Sequence, residues 1–452
     1  LDQYTVRFTF PESNPLFIRR LATATNSQVV AYPRHYLKRF HGDLADADAL
    51  SRRAREVGFN SWYDLFEDKA HGRNPELPRL TAWVMTQPPP ATPIVFERNP
   101  YYWKVDPDGR QLPYIGRVTY EIVSKGLFNL KIISGEVDMQ TRHVELRHYP
   151  LLMENRAAGG YQVRRWHASS NGSVLMPNMN HKDPVLAELF QDRRVRRALS
   201  HAIDREAINE LIYFGLGTPA QMAPHPISRY ARPEYATQHL AYDPALANRL
   251  LDAAGLAERN EQRLRLRPDG RPLSLTLESF DLIADPETMQ MIARNWRAVG
   301  IDARMRQFAR SLFYTRVEAR MHEVAAGGND SIMLPEQDEG YLLPAHPASR
   351  HAPDWADWYR TRGQAGEAPP LPMRRIMNTH RRMRTTRDSD QRTALLHEIL
   401  ADNAEQLWTI GLISNLPAPV IVDNRFRNVP TESVFYNGLA FTQPACYAIE
   451  AN

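Results

Sequence analysis

Two histidine–glutamate pairs, His322-Glu323 and His397-Glu398, are the residues here that could begin metal-dependent hydrolytic chemistry. A zinc site of that kind needs a second histidine four residues on, so that both imidazoles fall on one helical face. Ala326 and Ala401 stand at those positions, so neither pair is expected to hold a metal. No nucleophile elbow and no phosphate-binding P-loop pattern occurs. Gly215-Leu216-Gly217 with Ala220 matches G-x-G-x-x-A, but it follows a helical pattern rather than a strand. It therefore reads as a connecting turn, not as a dinucleotide-binding loop. His143 and His148 lie too far apart to share a helical face and read as surface residues. A pair of carboxylates, the equipment of a glycoside hydrolase, leaves no spacing to recognise. A carbohydrate-active hydrolase therefore stands as the alternative to a non-catalytic protein, and no cofactor is expected.

Binding chemistry is better represented. Trp62, Trp83, Trp103, Trp355 and Trp358 lie off the apolar stripes, where flat faces with a polar edge suit sugar rings and peptide side chains alike. Trp103 is expected to pack between segments, and Trp296 and Trp408 occupy core positions. Trp355 and Trp358, beside Asp354 and Asp357 in a proline-flanked stretch read as a loop, are candidate ligand contacts. Asn329 and Asp330 place an amide next to a carboxylate, a pair suited to two hydrogen bonds with vicinal hydroxyls. Asn171 and Asn437 complete the candidate set.

These residues must be carried by alternating strands and helices. Val118–Val123 reads as a strand, Leu127, Leu130 and Ile133 share a helical face, and Gly135 stops that helix before a strand at Val137–Met139. Asp192 caps a helix with the stripe Val195, Ala198, Leu199, Ala202 and Ile203. Asp243-Pro244 opens another, closed by Gly255. The clearest unit runs from Leu273, Leu275 and Leu277 through a helix begun by Asp285-Pro286 to the alternation Ile301, Ala303 and Met305. Such a strand–helix–strand unit predicts a parallel α/β sheet. A late helix around Leu395–Leu400 precedes a strand-like run, Leu407–Ile413.

Several stretches resemble the family 5 extracellular solute-binding proteins, the dipeptide- and oligopeptide-type receptors of ABC importers. The match rests on YTVRFTF (Tyr4–Phe10), ERNPYYW (Glu97–Trp103), LPYI (Leu112–Ile115), SGEVDM (Ser134–Met139), DRRVRRALSHAIDREAI (Asp192–Ile208), and Tyr242-Asp243-Pro244 with Ala254–Leu256. The resemblance implies a periplasmic-binding-protein fold of class II-like type, two α/β domains joined by a hinge. It implies domain I at 1–168, a distal lobe at 169–405 and a return to domain I at 406–452, with hinge strands near Trp166–Asn171 and Leu400–Trp408. The family's first strands and small lobe, which precede the YTVRF strand, are expected to be missing. It also implies an extracytoplasmic or periplasmic monomer that captures a peptide or oligosaccharide between its domains, without catalysis, and delivers it to a membrane permease. In peptide-binding relatives a strand like His322–Gly328 leads to an aspartate that accepts the ligand's ammonium group. Here Asn329 replaces a tryptophan and Ile332 falls at the aspartate's position, which leans toward an oligosaccharide.

Composition agrees with this class. Across 452 residues, 43% hydrophobic and 24% charged, two or three domains with their own cores are expected. The net charge of +4 is small, and its Arg-rich stretches alternate with apolar residues as solvated helix faces do, so no nucleic-acid partner is expected. One cysteine, Cys446, excludes an internal disulfide. The chain opens on strand-like alternation without signal-peptide features, which reads as a processed, trimmed or partial chain.

Overall fold

The computed structural model of the protein describes residues 2, 4–22, 31–168, 171–280, 283–329, 335–336, 342–345, 349–435 and 442–450. The chain divides into two compact units, one formed by Leu1–Phe17 and His167–Ala418, the other by Ile18–Trp166 and Pro419–Asn452.

The larger unit is built on a five-stranded mixed sheet. Its strands are β1 (Asn171–Pro177), β2 (Ser274–Phe280), β3 (Asp302–Phe308), β4 (Val324–Asn329) and β5 (Ile410–Gly411), in the order β5-β1-β4-β2-β3. β2 and β3 run parallel in unbroken register from Ser274 opposite Asp302 to Phe280 opposite Phe308. The helix between them, Pro286–Ala298, is capped by Asp285, whose carboxylate accepts from the Thr288 amide. It buries Met289, Ile292, Ala293 and Trp296. This is the strand–helix–strand unit expected from the sequence. β4 is parallel to β2 and antiparallel to β1. Its register slips between Gly327 and Asn329, an irregularity just before the strand's last residue.

The motif helices form as their caps predict. Arg193–His201 is capped by Asp192, and Pro244–Ala253 by Asp243 with proline at its first position. Between them runs Arg205–Tyr213, capped by Asp204. Gly217 is a close approach and not a phosphate loop, since a Cβ there would lie 2.3 Å from Ile413 Cγ2. Arg196 is fully buried, and its guanidinium donates to the carbonyls of Phe190, Gln406 and Leu407 while lying 4.4 Å over the Trp408 ring. Arg205, 2% exposed, donates to the carbonyls of Ser200, Leu240 and Gly411.

The smaller unit holds a three-stranded antiparallel sheet of Trp83–Gln87, Ile94–Arg98 and Arg117–Tyr120. A four-stranded sheet contains Tyr161–Ala168 beside Pro417–Asp423, the two strands through which the chain passes between units. Trp166, Val420, Val422 and Tyr447 pack in one apolar cluster, Ile132, Leu152, Tyr161 and Ile421 in another. A separate helical cluster centres on Phe40 and Leu65.

Four details depart from the sequence reading. Tyr4–Phe10 is not a strand: among the described residues its one backbone pairing is the isolated bridge from Thr5 to Asp2, and Tyr4 and Val6 are 88% and 76% exposed. The strand near Val118 is Arg117–Tyr120. On the helix Lys125–Ile133 the buried contacts are made by Phe128 and Ile132, four residues apart, while Leu127 and Leu130 face out. The compact units place the chain's return at Pro419, later than residue 406, because Ile410–Gly411 pairs with β1 in the larger unit.

Removing the Arg196 side chain would leave three buried carbonyls without donors and a void beside Trp408. Arg196→Ala is expected to cost about 3–5 kcal/mol, read as a lower urea midpoint. A midpoint unchanged from the parent would contradict this role.

Candidate functional site

In open α/β sheets ligands gather at the carboxyl ends of the parallel strands. In the larger unit that edge is marked by Phe280 of β2, Phe308 of β3 and Asn329 of β4. β1 runs the opposite way, so its first residue lies at the same edge, and Asn171 stands opposite Asn329 in the ladder. Two candidates far apart in sequence are thus brought together by strand pairing. Asp330 and Asn437 lie outside the described residues.

The tryptophan candidates are not in a loop. Pro353 starts a helix, Pro353–Arg360, whose first amides are met by Asn180 Oδ1, 3.1 Å from the Asp354 nitrogen. Trp355 is fully buried, edge to face with Trp408 at a 5.7 Å centroid separation, so it is a core residue and not a ligand contact. The proline mistaken for a loop marker is an N1 residue. Trp358 is half-buried with the Arg381 guanidinium 5.9 Å over its ring. Asp354 and Asp357 both bind Arg320, at 2.5 and 3.1 Å. Trp62 begins a helix and Trp83 a strand, while Trp103 is 67% exposed. Trp296 and Trp408 are buried as expected.

The sequence reading missed the cluster beside the sheet's carboxyl edge. Phe280 packs against Phe313 at 5.3 Å and Tyr314 at 5.6 Å, both on the helix Arg310–Glu318. The Arg310 guanidinium lies 5.6 Å from the Phe280 ring and 5.9 Å from that of Tyr314. Arg350 approaches the same aromatic group, 5.6 Å from Phe313 and 5.7 Å from Tyr314. A Cβ on Gly327 would come within 2.3 Å of Arg350 Nη1, so a larger residue there would make the guanidinium shift away from β4. These parts come from separate segments, and the only local signal was a Phe313-Tyr314 pair after Arg310.

The residues with possible hydrolytic chemistry are otherwise engaged. Glu278 is 1% exposed and forms a two-pronged bond with Arg316, both contacts 2.8 Å. Glu323 accepts from the Thr276 amide at 2.5 Å, and burial raises its pKa. His322 is fully buried, with Nε2 2.5 Å from the Arg350 carbonyl, and desolvation lowers its pKa to about 4. His351 and His225, also buried, are lowered to about 4 by the same cause. His397 faces the Tyr235 hydroxyl at 3.0 Å. Among the described residues no three His, Cys, Asp or Glu side chains form a group that could hold a metal ion.

Comparison with known proteins now decides the class. The model for "Bacterial extracellular solute-binding proteins, family 5 Middle" matches residues 1–347. The chain belongs to this family. An oligopeptide-binding protein OppA of known structure is 33% identical with a TM-score of 0.71, covering all of this chain and 75% of that one. The periplasmic alpha-galactoside-binding protein of Rhizobium meliloti strain 1021 is 22% identical over 443 residues, 95% of this chain but 61% of that relative. The periplasmic binding protein MelB of Agrobacterium fabrum C58, solved with stachyose, shares the fold with a TM-score of 0.69 at 19% identity, covering 93% and 62%. The family member thus spans about three-fifths of the galactoside-binding relative's length. Its α/β fold is that of periplasmic binding proteins, and among the described residues no helix is long and apolar enough to cross a membrane.

Two outcomes follow. Trp355→Ala should lower stability by about 3–5 kcal/mol, seen in urea unfolding; a variant of parental stability would restore Trp355 as a surface contact. The three buried histidines stay neutral when folded, down to about pH 4, but take up protons from pH 6.5 downward when unfolded. The unfolded state then binds more protons, so stability falls as pH drops from 6.5 toward 4, by on the order of 1–2 kcal/mol per histidine at pH 5. A urea midpoint equal at pH 7.5 and pH 5.0 would contradict this assignment.

Proposed function

We propose that this protein is the extracytoplasmic substrate-binding component of an ABC importer, capturing a peptide or an oligosaccharide without catalysis and passing it to a membrane permease. The observation that carries this reading is the sheet edge of the larger unit. There an aromatic cluster, two arginines and the opposed backbones of Asn171 and Asn329 converge. Aromatic faces with convergent polar groups suit a flexible polar solute. Family membership supports it, and so do the relatives, one an oligopeptide-binding and another an alpha-galactoside-binding protein. Nothing favours the hydrolase alternative, since Glu278 and Glu323 are committed inside the sheet.

We assign Asn329 and Asn171 to the ligand-bearing edge and keep Trp358 as a secondary contact. The two passages at Trp166/His167 and Ala418/Pro419 are the natural hinge of this reading, since few residues need absorb the change there. The protein acts as a monomer in this scheme.

A thermal-shift screen of neutral oligosaccharides and short peptides is the test. A bound solute at a hundred times its Kd stabilises by about 2.7 kcal/mol, enough to raise Tm by a few degrees, and should be recovered chemically unchanged. Release of a cleaved product, or no shift with any member of either class, would contradict the reading.

A further inference from the structure

At the carboxyl edge of the sheet lie two arginines that no carboxylate balances among the described residues. Arg350 is 8% exposed, and its Nη1 has no hydrogen-bond partner among the described residues. Among the described residues its Nη2 reaches the Tyr314 hydroxyl alone, at 3.3 Å. Arg310 is exposed, and its guanidinium lies against the Phe280 and Tyr314 rings. Among the described residues neither guanidinium has a carboxylate within ion-pair distance.

The other buried arginines of this unit contrast with this. Arg196 and Arg205 donate from all three guanidinium nitrogens, mainly to carbonyl oxygens, and Arg265 binds Asp252 at 2.6 Å as well as the carbonyls of Val299 and Leu256. Arg316 holds Glu278 and Arg320 holds Asp354. Arg267, buried like Arg350, pairs with Asp183 and Asp269, so each of these other arginines has carbonyl or carboxylate partners. A buried charge left without a counter-charge is unfavourable unless an anion arrives to pair with it. Guanidinium groups also present a planar fork that fits a carboxylate with two bonds, and ring faces strengthen that fork by excluding water.

A neutral sugar would need the rings but not two cations beside them. We propose that Arg310 and Arg350, framed by Phe280, Phe313 and Tyr314, form a subsite for the carboxylate of an acidic solute. This rests on the binding-protein reading and narrows its ligand. A uronic-acid oligosaccharide and a peptide with a free carboxylate share the recognised group.

Titration calorimetry on the full chain separates the sources with two matched pairs: trigalacturonate against neutral galactotriose, and tetra-alanine against its C-terminal amide. The acidic member of one pair should bind at least tenfold more tightly than its neutral twin, and the pair that shows it names the source. Arg310→Gln and Arg350→Gln should each cost the acidic probe about tenfold and change the neutral one less than twofold. Arg310 is exposed, so its variant keeps the fold, and Arg350→Lys, which retains the charge, should retain part of the preference. Equal binding within both pairs, or a preference that survives both glutamine variants, overturns the subsite and leaves the binding-protein reading standing. Binding of none of the four probes counts against both.

Discussion

The larger unit depends on buried guanidinium groups that tie sequence-distant backbone together. Arg196 and Arg205 sit on neighbouring helices, yet they fill the carbonyls of Gln406, Leu407 and Gly411, some two hundred residues later. That contact fixes the segment from which Ile410–Gly411 pairs with β1. β1 in turn sets the register of β4, and β4 carries Asn329 to the sheet edge. Burial lowers the pKa of both arginines to about 9, so they remain charged at neutral pH. A charge so placed must keep its acceptors, which makes the alignment of helices and returning chain all-or-none.

This gives the arginine-rich motif a meaning that composition alone conceals. A run such as Arg193–Arg197 looks like a solvated face, and part of it is: Arg194 pairs with Asp192 near the surface. Arg196 points the other way, into a shell of carbonyls. Guanidinium groups here do three different jobs, namely surface pairing, internal stitching and, at the sheet edge, waiting in an aromatic frame. What distinguishes them is the set of atoms that occupies their donors, not the sequence around them.

Much of the scaffold was legible because caps and periodicity are local. Asp192, Asp243-Pro244 and Asp285-Pro286 start helices where expected, and the alternation of Leu273–Leu277 and Ile301–Met305 gave the parallel pair. Tyr4–Phe10 misled because a strand exists only through a partner, and alternation says nothing of whether one is present. Trp355 misled because a proline at N1 and a proline in a loop look alike in sequence. The aromatic–arginine cluster had no local signature, since β2, the helix after β3 and the stretch before Pro353 each supply one part. The family motifs gave the class, but they mark the stitching of the fold more than its recognition surface.

The slip in register between Gly327 and Asn329 carries a consequence for how such an edge can change. Along Val324–Ala326 every residue is buried on both faces of the sheet, and any shift would force different side chains into a filled core. Beyond the slip that constraint no longer binds the final residue. Position 329 keeps its ladder partner Asn171 but stands outside that packed register, so a substitution there is expected to leave the sheet beneath as it is.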